Sequence, residues 1–267
     1  MIDNPNIVSL QSPKAIDLSL FGAKAANLAK VAQLGYTVPE GLAVSRLYSE
    51  SDFTPIAQII IEELSSPVAV RSSATKEDSE TKAFAGQFET RLGIRTTADL
   101  TNAFMTVKNS GTTEHVKNYY GVAIPPDQIA VLIQRMVDAT RAGVAFSRDP
   151  VSGESTVIIE SNYGLGKSVV DGDVTPDSIE LYCDGRIKTL VGRKSIQINL
   201  SDSGIHTQST SSVDSERCSL TEDEIREIAI LTKKVEDDLG FPADIEWAID
   251  SNGCLWLLQA RPITTIL

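Results

Sequence analysis

The chain has 267 residues and a formal net charge of −12; 42% of its residues are hydrophobic and 22% are charged. This composition is that of an ordinary globular protein, and the length allows one large domain or two lobes. The acidic excess argues against general binding to nucleic acids or anionic membranes. No segment reaches the roughly 18 apolar residues of a membrane span, and the first residues lack a signal-peptide pattern. We therefore expect a cytoplasmic protein with no nucleic-acid or membrane partner.

The first half of the chain alternates between predicted helices and strands. Helix-forming composition precedes a stop at Gly35, and a later helix carries Pro55 in its first turn. The predicted helices span residues 18–34, 55–64, 97–109 and 112–120. β-Branched, apolar segments indicate buried strands, which we place at 67–73 and 128–138.

The second half is richer in predicted strands. "AGVAFSRDP" (142–150) and "STVIIESNYG" (155–164) are two strands, and 185–200 contains one or two hairpins. Residues 201–219 are polar, which predicts a flexible loop. A capping box of Thr221 and Glu224 starts a helix that ends near Gly240. Adjacent strands joined by short turns predict an α+β fold with antiparallel sheets.

Histidine and cysteine chemistry is not indicated by these patterns. His115 and His206 lack any partner motif, so we expect structural or exposed roles for them. The three cysteines are far apart and have no metal-site spacing, which predicts reduced thiols.

The stretch "VAVRSSATKEDSETKAFAGQFET" (68–90) is a candidate phosphate site. A buried strand delivers Arg71, whose guanidinium offers a rigid fork to phosphate oxygens. Small residues and glycine in the following loop allow backbone N–H groups to approach an anion. Lys24 lies in the first turns of a helix after Gly22 and can also reach a phosphate. The alternatives are an ordinary polar connection and a surface helix lysine.

Gln134, Met136 and Val137 end an apolar strand. A strand leading out between two lobes offers backbone donors and acceptors to an adenine. A strand of the core is the equally good alternative.

The segment "ADIEWAIDSNGCLWLLQARP" (243–262) predicts a β-hairpin. Asn252-Gly253 is a strong signal for a two-residue type I′ turn, which makes Ser251 and Cys254 the flanking pair. In this register Glu246 faces Gln259 and Asp244 faces Arg261, on one side of the hairpin. The opposite, apolar side then consists of Ile245, Trp247, Ile249, Trp256, Leu258 and Ala260.

The polar side of this hairpin has two interpretations. It is either a solvated face with cross-strand pairs, or a site for a hard cation beside an anion. Carboxylate and amide oxygens suit Mg²⁺, which usually binds together with phosphate. The hairpin alone leaves both open.

Taken together, six collinear stretches resemble one family. They are "GAKAANLAKVAQLGYTVPEGLAV", "VAVRSSATKEDSETKAFAGQFET", "IQRMVDATRAGVAFSRDP", "NYGLGKSVVDGDVTPD", "VGRKSIQI" and "FPADIEWAIDSNGCLWLLQARPIT". They are similar to the nucleotide-binding domain of the phosphoenolpyruvate synthase and pyruvate phosphate dikinase family, also found in rifampicin phosphotransferases. The resemblance implies a single two-lobed ATP-grasp domain over 1–267, with lobes of approximately 1–120 and 121–267.

The resemblance also implies roles for individual residues around an ATP bound between the lobes. Lys24 and Arg71 would hold the phosphates, and Arg261 would contact the transferred phosphates, which makes these three the catalytic set. Glu246 and Gln259 would hold Mg²⁺. The segment that contains Gln134, Met136 and Val137 would meet the adenine.

Two substitutions and one absence set this chain apart from the family pattern. Lys167 stands where the family usually has Glu, and Ala83 where it usually has Ser. No stretch resembles the phosphohistidine domain or the barrel domain. We therefore expect an ATP- and Mg²⁺-dependent phosphotransferase domain that passes phosphate to a histidine on a partner domain. The alternatives are a stand-alone kinase with a small-molecule acceptor and a non-catalytic ATP-binding subunit.

Overall fold

The computed structural model describes residues 4–49, 53–65, 67–74, 89–114, 116–117 and 122–264. His115, Ala83 and the rest of the predicted loop over 75–88 lie outside the described residues. The chain divides into two compact units, Met1–Met136 and Val137–Leu267. Both contain helices and antiparallel sheets, so the predicted α+β class is confirmed.

The first unit contains strands β1 (Ile7–Ser9), β2 (Gly41–Val44), β3 (Val68–Ala74), β4 (Thr90–Ile94) and β5 (Ile129–Arg135). Its helices are α1 (Leu18–Gln33), α2 (Phe53–Leu64) and α3 (Thr97–Lys108). The second unit contains β6 (Ala139–Phe146), β7 (Val157–Tyr163), β8 (Asp177–Leu181), β9 (Ile187–Leu190), β10 (Ile196–Ser201), β11 (Gly204–Ser209), β12 (Ala243–Asp250) and β13 (Leu255–Pro262). Its helices are α4 (Lys167–Val170), α5 (Ser212–Ser215) and α6 (Glu222–Leu239). Short 3₁₀ turns lie at Pro13–Ile16, Ser110–Thr112 and Pro126–Gln128.

The first unit is built on a five-stranded antiparallel sheet in the order β1-β2-β5-β3-β4. One face is apolar, because alternate residues of each strand point to the same side. Val70 and Ile133 on this face pack with Phe53 of α2 and Phe104 of α3 in a single buried cluster. Helix α1 contacts β3 and β5 and is buried along most of its length.

A close approach between Gly22 and β3 fixes where α1 lies. Gly22 has φ = 73°, a left-handed conformation that kinks the helix. A Cβ atom at this position would lie 1.8 Å from the backbone oxygen of Ser73. Ser73 Oγ accepts a hydrogen bond of 3.0 Å from the N–H of Ala25, which ties the start of the helix to the strand.

The second unit is built on a six-stranded antiparallel sheet in the order β13-β12-β6-β7-β8-β9, with β10–β11 as a separate hairpin. Helix α6 contacts β6, β7, β8 and β12. It starts at the predicted capping box of Thr221 and Glu224 and ends at Gly240, whose φ is 78°. Trp247 is fully buried on the side of the sheet that α6 covers.

A fully buried ion pair fastens three segments of the second unit. Asp177, at the start of β8, accepts from Lys194 Nζ (2.6 Å) and from the N–H of Gly192 (2.9 Å). Its other oxygen accepts from both the N–H and Oγ of Ser219, each at 2.7 Å. Because these donors satisfy the buried carboxylate, the pair avoids the penalty of an isolated internal charge.

The two compact units divide at 136/137, and β5 pairs with both β2 and β3 of the first unit. The structure differs from the sequence-based expectation in one polar segment of the second unit. The segment 201–219 is not simply a loop, because β11 pairs with β10 and the helix α5 follows. His206 therefore lies on a strand, opposite Asn199. Every helix in the described ranges is too short or too polar to cross a lipid bilayer.

We expect Gly22→Ala to destabilise the protein by about 3 kcal/mol or more, because left-handed strain of about 1–2 kcal/mol adds to a backbone clash. The matched control is Gly35→Ala: Gly35 also has positive φ, but nothing lies within 4 Å of an added Cβ. Urea unfolding of both variants measures the difference. Equal losses of stability would show that the approach of Gly22 to Ser73 does not matter.

Candidate functional site

In the first unit, the predicted phosphate-binding residues lie around one face of the sheet. Arg71 on β3 is opposite Leu132 on β5, and Gln134 is two residues further along β5. The side chains of Arg71 and Gln134 therefore point away from the apolar cluster, toward the side of the sheet that α1 covers. Lys24 lies on α1, two residues after the kink at Gly22, and is only 9% exposed. Arg71 and Lys24 thus lie on the same side of the sheet.

The Gln134 side chain is a feature that the sequence interpretation missed. The residue lies within β5, between Gly41 of β2 and Ala69 of β3, so its backbone belongs to the sheet. Its side chain is 3% exposed, and Nε2 has no hydrogen-bond partner among the described residues. A buried amide in this state usually has a ligand or water partner. The side chain, rather than the backbone, is the group available at this position.

The residues after β5 do offer backbone groups. Met136 donates its N–H to the Pro67 carbonyl (2.9 Å), and its sulfur accepts from the Gly93 N–H (2.9 Å). The Val137 carbonyl accepts from the Ala139 N–H (3.0 Å). Within the described ranges, no backbone hydrogen bond uses the Met136 carbonyl or the Val137 N–H. One acceptor and one donor are thus available on consecutive residues.

In the second unit, the predicted pairing of the β12–β13 hairpin is present at its polar end. Glu246 is opposite Gln259, and Asp244 is opposite Arg261. Gln259 is 3% exposed and Glu246 is partly buried. The sequence therefore predicted correctly which side chains lie together on this face.

At the turn end, the predicted register is wrong. The register shifts between Glu246 and Trp247, so that Trp247 pairs with Leu257. The loop has three residues between Asp250 and Cys254, whose backbones are bonded at 3.1 Å. Gly253 alone in this loop has positive φ, whereas a type I′ turn needs two such residues. Leu257 rather than Leu258 is consequently buried, and Trp256 donates Nε1–H to Asp250.

Asp244 holds the Arg261 guanidinium in place. Arg261 donates from Nε (2.8 Å) and Nη2 (2.7 Å) to the same oxygen, Asp244 Oδ2. The other oxygen, Oδ1, has no hydrogen-bond partner in the described part of the chain. Burial raises the pKa of Asp244, and the charge of Arg261 opposes that rise. Two bonds to one carboxylate oxygen restrict how the guanidinium plane can rotate.

We name the side of this sheet that carries Asp244 and Glu246 the carboxylate face. It includes a third acid that the sequence interpretation did not identify. Glu160 on β7 is opposite Val144 on β6, which is in turn opposite Glu246. Burial raises the pKa of Glu160. The sequence signal was a lone acidic residue inside the apolar run "VIIES".

The donor set on the carboxylate face fits a hard divalent cation. Glu246 and Gln259 supply oxygen ligands, which Mg²⁺ prefers. Among the residues described, however, no three acidic, histidine or cysteine side chains converge on one metal position. Mg²⁺ usually takes one or two carboxylates, and phosphate oxygens and water complete its octahedron. The residues therefore fit Mg²⁺ bound together with nucleotide phosphates.

The turn at Gly164–Lys167 lies at one end of the carboxylate face. Asn162 donates from Nδ2 to Ser168 Oγ and to the Ile196 carbonyl, both at 2.9 Å, so α4 and β10 cover this end. Lys167 forms an ion pair with Asp171, the residue that follows α4. Its charge is thus balanced locally.

Comparison with known proteins identifies the family of this chain. The family described as "Pyruvate phosphate dikinase, AMP/ATP-binding domain" matches residues 51–266. The chain belongs to this family. It is therefore an ATP-binding domain of the phosphotransferases related to phosphoenolpyruvate synthase.

Relatives of this ATP-binding domain include proteins from bacteria and archaea. "Uncharacterized phosphotransferase YvkC" of Bacillus subtilis is 34% identical over 92% of this chain and 34% of its own length. The probable phosphoenolpyruvate synthase of Methanothermobacter thermautotrophicus is 28% identical over 94% of this chain and 45% of its own. The rifampicin phosphotransferase of a Streptomyces species is 32% identical over 75% and 24%. The chain thus spans less than half the length of these relatives.

Among solved structures, the ATP-binding domain is similar to the D-alanine-D-alanine ligase of Coxiella burnetii. The TM-score is 0.42 at 10% identity, over 94% of this chain and 49% of the ligase.

We expect the stability of Glu160→Gln, measured relative to that of the unmodified protein, to increase between about pH 4 and about pH 7. Because burial raises the pKa of Glu160 above 4.5, its contribution to stability is present below that pH and lost as the buried carboxyl ionises. Urea unfolding at about pH 4 and about pH 7 measures the change.

The control, Glu180→Gln, should show the opposite trend. Hydrogen bonds from Lys188 and Tyr182 lower the pKa of Glu180, so its contribution is present at neutral pH and lost as pH falls. The same trend in both variants would contradict the burial argument for Glu160.

Proposed function

We propose that this chain is the nucleotide-binding part of a phosphotransferase that moves a phosphoryl group from Mg²⁺-bound ATP to a histidine on a partner domain. Family membership supports ATP binding. The observation that carries the transfer step is the β12–β13 pairing, which puts Glu246 and Gln259 beside the fixed guanidinium of Arg261. A domain that only binds ATP has less use for a metal site next to an anchored arginine.

The first unit would supply cationic phosphate contacts. Lys24 and Arg71 lie on the side of the sheet that α1 covers, and together offer a point charge and a planar fork. Phosphoryl transfer depends chiefly on charge neutralisation and alignment rather than on covalent help from the protein. These two residues and Arg261 are the catalytic set of this proposal.

The adenine would be recognised by the end of β5. The Met136 carbonyl can accept from an exocyclic amine, and the Val137 N–H can donate to a ring nitrogen. The buried amide of Gln134 adds a further polar group one residue before the strand ends. Such mixed apolar and polar surroundings are typical of small-molecule sites.

The second unit would hold the metal. Glu246 and Gln259 provide two oxygen ligands for Mg²⁺, and Asp244 keeps Arg261 oriented for the phosphates that are transferred. Bound Mg²⁺ would neutralise charge on the phosphates during transfer.

A product assay tests the proposed reaction. The purified chain is incubated with ATP and Mg²⁺, with and without a phosphohistidine-domain protein and pyruvate, and AMP, ADP and phosphate are measured. We expect ATP turnover only with the partner domain, because the acceptor is a histidine. ADP release without any protein partner would indicate a direct small-molecule kinase instead. ATP binding with no turnover in any mixture would indicate a non-catalytic subunit.

We expect Glu246→Gln to reduce metal-dependent turnover by at least about 100-fold, since the substitution removes the charged Mg²⁺ ligand and keeps the side-chain size. Thermal unfolding should show an intact fold, because Glu246 lies on a partly exposed sheet face. Glu180→Gln is the control on the same face. Unchanged turnover in Glu246→Gln would refute the Mg²⁺ assignment.

We expect Arg71→Ala to raise the KM for ATP roughly tenfold or more, because a charge-assisted phosphate contact contributes about 1.5–3 kcal/mol. Arg91→Ala is the control, since Arg91 on the edge strand β4 is half exposed and forms an ion pair with Glu89. Steady-state kinetics at saturating Mg²⁺ separates KM from kcat. An ordinary KM in Arg71→Ala would remove this residue from the phosphate set.

A further inference from the structure

A continuous row of side chains crosses the carboxylate face. It runs through directly paired residues of five strands, in the order Gln259, Glu246, Val144, Glu160 and Ser178. Adjacent strands lie roughly 4.8 Å apart, so the backbones of Glu246 and Glu160 are separated by about 10 Å. Val144 between them is short, and two glutamate side chains can lean across it.

Within the described ranges, Glu160 differs from Glu180 and Asp244, two other acids on this face, in having no protein cation. Glu180 is bound by Lys188 Nζ at 2.8 Å and by Tyr182, and Asp244 is bound by Arg261. In the described ranges, the Glu160 carboxylate forms no hydrogen bond or ion pair, although it is partly buried. A desolvated carboxylate without a partner destabilises the fold, so its presence calls for a role other than structure.

A second observation points to a ligand at the same place. Asp244 is 7% exposed, and its Oδ1 atom has no partner within the described chain. It lies two residues from Glu246 on the carboxylate face, and the charges of both Glu246 and Glu160 act on it. An unsatisfied buried carboxylate oxygen on the same face as Glu246 and Glu160 is a feature that water bound to a cation would satisfy.

We propose that Glu160 is a further cation-binding residue of the nucleotide site, and that it holds a divalent cation together with Glu246 across Val144. This inference rests on the proposed function, since the phosphates of ATP would supply the remaining ligands. Two carboxylates plus phosphate oxygens match the usual coordination of Mg²⁺. The cation would also neutralise the two negative charges that the row concentrates on this face.

The test measures Mg²⁺ binding without turnover. A non-hydrolysable ATP analogue is titrated into the protein by calorimetry at a series of Mg²⁺ concentrations. In Glu160→Gln, the Mg²⁺ concentration that gives half-maximal analogue binding should rise roughly tenfold or more, as for other lost metal-site groups. At saturating Mg²⁺ the affinity for the analogue should return toward that of the unmodified protein.

Glu180→Gln is the matched control: it makes the same substitution on the same face, at an acid that already has protein partners, and should leave the Mg²⁺ dependence unchanged. Glu160→Asp retains the charge and should show a smaller shift than Glu160→Gln. The melting temperature of unliganded Glu160→Gln should equal or exceed that of the unmodified protein.

Three results would overturn the inference. These are an unchanged Mg²⁺ dependence in Glu160→Gln, a loss of analogue affinity that is equal at every Mg²⁺ concentration, and a lowered melting temperature. An equal loss of affinity at every Mg²⁺ concentration would mean that Glu160 contacts the nucleotide directly. A lowered melting temperature would mean that Glu160 has a structural role. If Glu246→Gln loses Mg²⁺ dependence while Glu160→Gln keeps it, only this inference fails. If the unmodified protein shows no Mg²⁺-dependent binding, the proposed function itself fails.

Discussion

The register of β12 is the constraint on which the candidate site in the second unit depends. This strand pairs with β13 on one side and β6 on the other, so Glu246 lies between Gln259 and Val144. Because side chains alternate, a shift of one residue would exchange the acids with Ile245 and Trp247. Burial of Trp247 beneath α6 therefore holds Glu246 on the opposite face. The hydrophobic core and the proposed metal ligands are two consequences of one register.

The two units use the same plan. In each, one face of an antiparallel sheet carries buried apolar residues, and the other carries the residues of the proposed site. In the first unit these are cations, with Arg71 on the sheet and Lys24 on the helix that covers it. In the second they are mostly acids, and Arg261 is anchored by Asp244. Cationic groups suit nucleotide phosphates, and carboxylates suit the metal that accompanies them.

Two ion pairs of the second unit lie in different surroundings, one partly exposed and one fully buried. Lys167 at the start of α4 forms an ion pair with Asp171, the residue that follows the helix. In the buried pair of Asp177 and Lys194, by contrast, both oxygens of the Asp177 carboxylate accept hydrogen bonds. The donors lie in the segment after β9 and in the segment before α6. Removing one partner of such a pair leaves an uncompensated charge, which is strongly destabilising. We therefore expect a substitution to cost more stability at the buried pair than at the partly exposed pair.

The sequence by itself determined the class of fold, the helix that starts at Thr221, the family, and the pairing of Glu246 with Gln259. These follow from local signals: a capping box, alternating polarity and collinear motifs. Only the tertiary structure decided the three-residue loop at Gly253, the inward side chain of Gln134, and the presence of Glu160 on the carboxylate face. The reason is that the order of strands in a sheet and the insertion of one extra residue in a strand depend on long-range packing, which short-range sequence patterns do not encode.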